Sequence, residues 1–176
     1  MTGIDPPPLV VVDTNIVDEP DIEFLRSLSA AGSIRLARTD TVDTELALKS
    51  DAEELERLTS QSAQLEEVAG PLVLGHSRLG IAHLGATTET DLLGEVNALL
   101  WGPGTDADPD SHRSRRRFRD AMHIATSIGA GADLFVTHDG LNGADRSLLG
   151  RAAAIQERFG LQVVSLARAV EMFTDE

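Results

Sequence analysis

The sequence contains no cysteine, only one lysine (Lys49) and no long apolar segment. The lack of cysteine excludes a disulfide framework, thiolate zinc sites and cysteine catalysis, and it is typical of proteins in the reducing cytoplasm. The apolar run Leu9 to Val12 has no basic segment before it and is too short for a signal peptide or a membrane span. We therefore expect a cytoplasmic protein that does not associate with membranes.

Several motifs of phosphate-handling proteins are missing as well. The chain has no Gly-x-x-x-x-Gly-Lys, which excludes a P-loop NTPase. The glycines of GAGAD (129–133) follow a predicted helix and precede a predicted strand, whereas a dinucleotide site needs the reverse order. Lys49 comes too early to be the lysine of a receiver domain, and Asp13-Thr-Asn15 lacks the second aspartate of haloacid-dehalogenase-like phosphatases.

The charge is strongly negative and unevenly distributed. A net charge of -14 argues against broad, non-specific affinity for nucleic acid, because phosphate binding relies on lysine and arginine. Of the 29 acidic residues, 21 precede His112, whereas 9 of the 15 basic residues follow it. Most of the negative charge therefore lies upstream of the strongly basic segment HRSRRRFR (112–119).

The length of 176 residues indicates a single domain, which we expect to carry an expanded helical and loop region at about 51–112. Short apolar runs alternate with amphipathic helical segments, which predicts an α/β domain with a mainly parallel sheet. The predicted strands are 9–13, 34–37, 133–137 and 161–166, with one or two short extended segments in 72–86. The predicted helices are 21–31, 41–49, 51–69, 89–101, 113–129, 144–159 and a short one at the end. The glycine- and proline-rich stretch 102–112 predicts an exposed loop.

Two of the predicted strands are followed by an aspartate, Asp13 in VVVDTN and Asp139 in LFVTHD. If these strands are neighbours in a parallel sheet, both carboxylates enter one crevice at the carboxyl edge. Each aspartate taken alone is equally typical of a helix cap or a loop. In the same way, Glu45 alone is typical of a solvated helix face, and Asp120 alone of a surface salt bridge with neighbouring arginines.

Taken together and in this order, these acids resemble the PIN domain family. The resemblance covers about residues 9–170, and its most specific part is DAMHIAT (120–126) through LFVTHD (134–139). It implies a three-layer α/β/α sandwich and a metal-dependent ribonuclease. It also implies metal ligands at Asp13, Glu45, Asp120 and Asp139, with Asn15 and Thr137 as supporting polar residues. Family members include toxins of toxin–antitoxin pairs; this chain is longer than those compact forms and more acidic.

The chemistry agrees with that resemblance. Four converging carboxylates repel one another, and hard oxygen ligands without cysteine or histidine select Mg²⁺ or Mn²⁺. Such ions can polarise a phosphodiester and activate water, so no covalent protein nucleophile is required. A zinc site stays open, because His123 and His138 lie close to proposed ligands.

Arginines next to the proposed ligands supply the positive charge that an RNA substrate needs. Arg113 and Arg116 lie on the helix face of Asp120, and we expect them and Arg117 to bind RNA. The alternative for these arginines is pairing with the chain's own acids or with a partner protein.

We therefore predict a divalent-metal-dependent endoribonuclease. The alternatives are a toxin bound by a cognate antitoxin and a non-catalytic PIN-like module that binds RNA or protein. A homodimer also stays open.

Overall fold

The structure is a computed structural model that describes residues 6–70, 87–103 and 111–174. These residues form a five-stranded parallel sheet flanked by seven α-helices, which confirms the predicted three-layer α/β/α fold. The strands are β1 (Leu9–Val12), β2 (Arg35–Thr39), β3 (Glu66–Val68), β4 (Leu134–Val136) and β5 (Gln162–Val164). The helices are α1 (Ile22–Ala30), α2 (Thr41–Leu46), α3 (Ala52–Ser62), α4 (Thr87–Trp101), α5 (His112–Gly129), α6 (Ala152–Phe159) and α7 (Leu166–Thr174). Within the described ranges, no helix has both the length and the apolar character required to cross a bilayer.

The strand order is β3-β2-β1-β4-β5, so β1 lies at the centre between β2 and β4. Val12, the last residue of β1, is in register with Val136, the last residue of β4. The backbone N–H of Asp13 continues this pairing and donates to the carbonyl of Val136 at 2.9 Å. Strand order reverses at β1 and β4, and a parallel α/β sheet binds its ligands at such a point.

Both faces of the sheet are covered by helices, and β1 contributes to both cores. Val10 and Val12 pack into the core formed mainly with α1, α2, α3 and α7. Leu9 and Val11 pack into the opposite core, formed mainly with α4, α5 and α6. Because side chains of a strand alternate between the two faces, a strand buried on both sides is apolar throughout, as the run LVVV is.

The predicted helix 51–69 is wrong in its last third. Helix α3 ends at Ser62, and after a turn the chain forms β3 at one edge of the sheet. Leu65 keeps the helical spacing from Leu58 and both are buried, so the apolar periodicity continues through the turn. The strand is stabilised instead by pairing with β2, where Arg35 contacts Glu66 and Arg38 contacts Glu67.

Two other predicted helices are shorter than expected. Helix α2 ends at Leu46 rather than at 49. The predicted helix 144–159 begins with a 3₁₀ turn at Leu149–Arg151 and becomes α-helical only at α6. Its first residues form a loop because the N–H of Leu148 donates to the carboxylate of Asp139 at 2.8 Å. The extended segments predicted within 72–86 and most of the predicted loop 102–112 lie outside the described residues.

A substitution at Phe135 of β4 tests how much the core on one face of the sheet stabilises the fold, because this side chain is fully buried against the helices of that face. We expect Phe135→Ala to lower the free energy of unfolding by about 3–5 kcal/mol, through lost burial and the cavity left behind. Leu48→Ala is the control, since this leucine is 68% exposed, and we expect a change within about 0.5 kcal/mol. Denaturant unfolding of the three proteins measures both values. A loss below about 1 kcal/mol for Phe135→Ala would contradict this packing.

Candidate metal centre

Asp13 follows β1 directly, and three hydrogen bonds fix its carboxylate. Its Oδ1 accepts from the backbone N–H of Thr14 at 2.7 Å. Its Oδ2 accepts from the Thr137 hydroxyl at 2.6 Å and from the Asn15 amide at 2.9 Å. The structure thus places both predicted supporting residues, Asn15 and Thr137, in contact with this carboxylate.

Asp139 follows β4 and is joined to Asp13 through the same threonine. The hydroxyl of Thr137, which donates to Asp13, accepts from the N–H of Asp139 at 2.9 Å. The Asp139 carboxylate accepts from the N–H of Leu148 and lies 3.3 Å from the guanidinium of Arg116. One buried hydroxyl therefore sets the relative position of the two strand-end aspartates.

Glu45 of α2 and Asp120 of α5 complete the predicted acidic set. A cleft of about 240 Å³ at the carboxyl edge of the sheet is lined by Asp13, Glu45, Asp120 and Asp139. The predicted convergence of these four acids is confirmed. That they bind a metal stays a prediction.

His123 lies one helical turn after Asp120 and is buried beneath the acids, with 1% of its surface exposed. Its Nδ1 hydrogen-bonds with the Thr39 hydroxyl at 2.6 Å. Its Nε2 lies 3.3 Å from a Glu45 oxygen and 3.8 Å from an Asp13 oxygen. Ligand atoms of Asp13, Glu45 and His123 all lie within 4.8 Å of one another. The second histidine considered for zinc, His138, contacts Glu19 at 3.5 Å instead.

The sequence shows that His123 lies close to the proposed ligands, but it did not predict that His123 belongs to the site with the four acids. The available signal was its spacing of three residues from Asp120, which puts both side chains on one helix face.

Glu45 and His123 form a buried ion pair. Burial alone would lower the pKa of His123, but its hydrogen bond to Glu45 and the surrounding carboxylate charges raise that pKa to about 9. Burial also opposes ionisation of Glu45, yet the hydrogen bond and charge of His123, with a hydrogen bond from the Thr14 hydroxyl, lower the pKa of Glu45 to about 2. At neutral pH this pair is fully charged.

Asp120 has the opposite electrostatic environment. Burial and the charges of Asp13 and Asp139 raise its pKa to about 7, although His123 and Arg116 partly oppose the shift. Burial likewise raises the pKa of Asp13, with a contribution from Glu45. Among the described residues, no hydrogen bond or ion pair reaches the carboxylate of Asp120, which faces the cleft. A cation bound in the cleft would relieve this crowding.

The donor set suits a divalent cation. Asp13, Glu45, Asp120 and Asp139 offer carboxylate oxygens, the ligands that Mg²⁺ and Mn²⁺ prefer. The imidazole of His123 offers a nitrogen, which Mn²⁺ and Zn²⁺ accept more readily than Mg²⁺ does. Because His123 is protonated at neutral pH, it can become a ligand only by losing that proton.

The predicted arginines lie at the rim of the site rather than within it. Arg116 pairs with Asp139 and keeps 64% of its side chain exposed, so intramolecular pairing holds for this residue. Arg113 and Arg117 line an adjoining cleft. Arg119, which was not predicted as a site residue, is only 11% exposed and lies 3.7 Å from Glu45. Positive charge therefore borders the acids on the α5 side.

Compared with known proteins, the chain matches no family model, and a search of curated proteins finds no significant match.

Asp120 gives a test of the electrostatics that needs no metal. Its folded-state pKa of about 7 lies above its ordinary value of 3.8, so its protonated form stabilises the fold at low pH, and that stability is lost as pH rises from about 4 to about 7. With a chelator present, we expect Asp120→Asn to be more stable than wild type by about 1–3 kcal/mol at about pH 8, and similar to it at about pH 4.

The matched control is Asp21→Asn, which removes the same charge from an exposed side chain that makes no capping hydrogen bond. Thermal melting at the two pH values measures all three proteins. If the stability of Asp120→Asn depends on pH in the same way as that of wild type and Asp21→Asn, the raised pKa of Asp120 is contradicted.

Proposed function

We propose that this protein is a divalent-metal-dependent endoribonuclease. The observation that carries the proposal is Asp120, a carboxylate without a hydrogen-bond partner among the described residues, directed into a cleft that also contains Asp13, Glu45 and Asp139. A fold that needed these acids only for stability would pair them or place them in water. Convergent, repelling carboxylates are typical instead of a centre that binds Mg²⁺ or Mn²⁺.

In the proposed reaction, the acidic residues would have different roles. Asp13 and Asp139 are rigid, because Thr137, Asn15 and the backbone fix their carboxylates, and they would position the ion. Asp120 would release its proton when the ion binds. When bound, the metal would polarise the scissile phosphate and promote ionisation of the attacking water.

Glu45 and the cationic residues would tune this centre. The charged pair Glu45–His123 would keep Glu45 ionised, and Arg119 nearby adds a second positive charge. Arg116 contacts Asp139 but is 64% exposed at the rim, so its planar guanidinium would also reach the RNA backbone. The choice of RNA over DNA rests on the resemblance of the motifs to PIN domains.

The first test is manganese-dependent cleavage of a short unstructured RNA labelled at its 5′ end. We expect internal cleavage by wild type, abolished by EDTA, and a loss of at least about a hundredfold in Asp120→Asn and in Asp13→Asn, because a ligand to the ion is removed. Asp21→Asn is again the control and should cleave as wild type does. The same oligonucleotide made of DNA tests the preference for RNA.

Melting in the presence of Mn²⁺ separates metal binding from catalysis. A ligand that binds only the native state at a hundredfold excess over its dissociation constant adds about 2.7 kcal/mol of stability. Manganese stabilisation of wild type without cleavage of any RNA would favour the non-catalytic module. If manganese neither stabilises the protein nor supports cleavage, the proposal of a metal centre is contradicted.

Thr137 is expected to act as a positioning residue for both strand-end aspartates. Thr137→Val keeps the shape of the fully buried side chain but removes the hydroxyl that donates to Asp13 and accepts from Asp139. We expect this variant to weaken Mn²⁺ binding by about 10–100-fold, as loss of a supporting partner usually does. Thr137→Ser retains the hydroxyl and should bind close to wild type. Equal affinity of the two variants, measured by melting across a manganese titration, would contradict this role.

A further inference from the structure

A second cleft, of about 340 Å³, adjoins the candidate metal centre. The two clefts share Asp120, Asp139 and Arg116 as lining residues. From there the second cleft extends between Trp101 at the end of α4, the first turns of α5, and the loop that follows Asp139. A chain molecule bound at the metal centre can therefore continue into this cleft.

Besides Arg116, which contacts Asp139, three arginines line this second cleft, namely Arg113, Arg117 and Arg146. None of the three forms an ion pair with a carboxylate of the residues that the structure describes. This is unusual in a chain of net charge -14, where arginines elsewhere pair with acids, as Arg57 does with Asp18 and Arg158 with Glu95. Their positive charge is thus available to an anionic ligand.

The guanidinium of Arg117 lies over the indole ring of Trp101 at the wall of the cleft. The guanidinium carbon of Arg117 lies 5.2 Å from the centre of the indole ring. The indole N–H donates to the backbone carbonyl of Arg117 at 3.0 Å, which fixes the ring against α5. Aromatic rings and guanidinium planes are the surfaces on which unpaired bases stack, and such stacking tolerates any base.

The loop that carries Arg146 is held in place by the metal centre. Asp139 accepts from the N–H of Leu148, at the end of this loop. Gly140 at the start of the loop has a φ of +102°, and a Cβ there would lie 2.0 Å from the Ser147 hydroxyl, so the loop closes tightly on itself. Arg146 therefore has a defined position relative to the acids.

We propose that this cleft is a nucleotide subsite that holds the strand next to the scissile phosphate. Arg113 and Arg146 bind a backbone phosphate, and a base stacks on the Trp101–Arg117 pair. The inference rests on the proposed ribonuclease function, since it assigns the cleft to the same substrate. An acidic protein segment would use the arginines too, but it would have no use for an indole ring and a guanidinium beside them as a surface for bases.

Trp101 is the only tryptophan of the chain, which contains no tyrosine, so its fluorescence reports on this cleft alone. With EDTA present to prevent cleavage, we expect a short single-stranded RNA to quench this fluorescence saturably. The double variant Arg113→Ala/Arg146→Ala, at two exposed positions, should weaken binding by about 10–100-fold. Arg158→Ala, an exposed arginine of α6, is the control and should bind as wild type does.

Salt dependence distinguishes phosphate contacts from an indirect effect on the fold. Each phosphate neutralised on a single strand contributes about 0.7 to the slope of log affinity against log salt, so loss of the phosphate that Arg113 and Arg146 bind together should reduce the slope by about 0.7. An unchanged slope, or unchanged affinity, in the double variant would overturn the subsite. Quenching by a polyglutamate peptide as strong as that by RNA at the same salt concentration would overturn it in favour of an acidic protein partner.

Cleavage kinetics separate this inference from the proposed function. If both hold, the double variant should have a KM for RNA raised by about 10–100-fold and a kcat within about threefold of wild type. The Asp120→Asn variant should lose turnover, but RNA should still quench its Trp101 fluorescence with EDTA present. If wild type does not cleave RNA but binds it in an arginine-dependent way, the function fails and the subsite stands. If wild type cleaves RNA but Trp101 does not respond, the subsite fails alone.

Discussion

Parallel pairing of β1 with β4 forces two aspartates to the same edge of the sheet, and the rest of the site is arranged around that charge. The backbone N–H of Asp13 still belongs to the sheet, because it donates to Val136. Hydrogen bonds from Thr14, Asn15 and Thr137 hold its carboxylate at the sheet edge. Thr137 fixes the second aspartate relative to the first. Glu45 and Asp120 then approach from helices on opposite faces of the sheet, and four carboxylates share one opening.

The protein balances this charge in unequal ways. Glu45 is paired with a buried imidazolium, and Asp139 has an arginine and a backbone N–H. Within the described ranges, the Asp120 carboxylate has no hydrogen bond or ion pair, and a proton is the partner that its raised pKa implies. A cation entering the cleft would therefore compete with a proton at Asp120, while it would find Glu45 already ionised. The residual negative charge is concentrated where an incoming ion would be coordinated.

Sequence reasoning found Asp13 and Asp139 because strand ends are local features, but it could not rank the acids that follow strands. Glu45 and Asp120 lie on helices and were proposed only through the resemblance to PIN domains. Asp40 also follows a strand, β2, yet it is 1% exposed, approaches Gly70 and does not line the cleft. The contribution of His123 depends on contacts with Thr39 and Glu45, which are distant in sequence. The edge strand β3 was missed for the same reason, since it depends on pairing with β2 while its local periodicity is helical.

Helix α5 connects the two properties that a metal-dependent nuclease has to combine. Its first turns are basic and partly exposed, its middle carries Asp120 and His123, and its following residues pack in the core. A strongly acidic chain repels nucleic acid at long range, so attraction has to be local. Arginines within the first turns of the helix that supplies a carboxylate would act only at short distance from the acids. If the proposed function holds, the same rigid element would fix the distance between the bound backbone and the acids, which would favour reaction at one phosphate over diffuse binding along the strand.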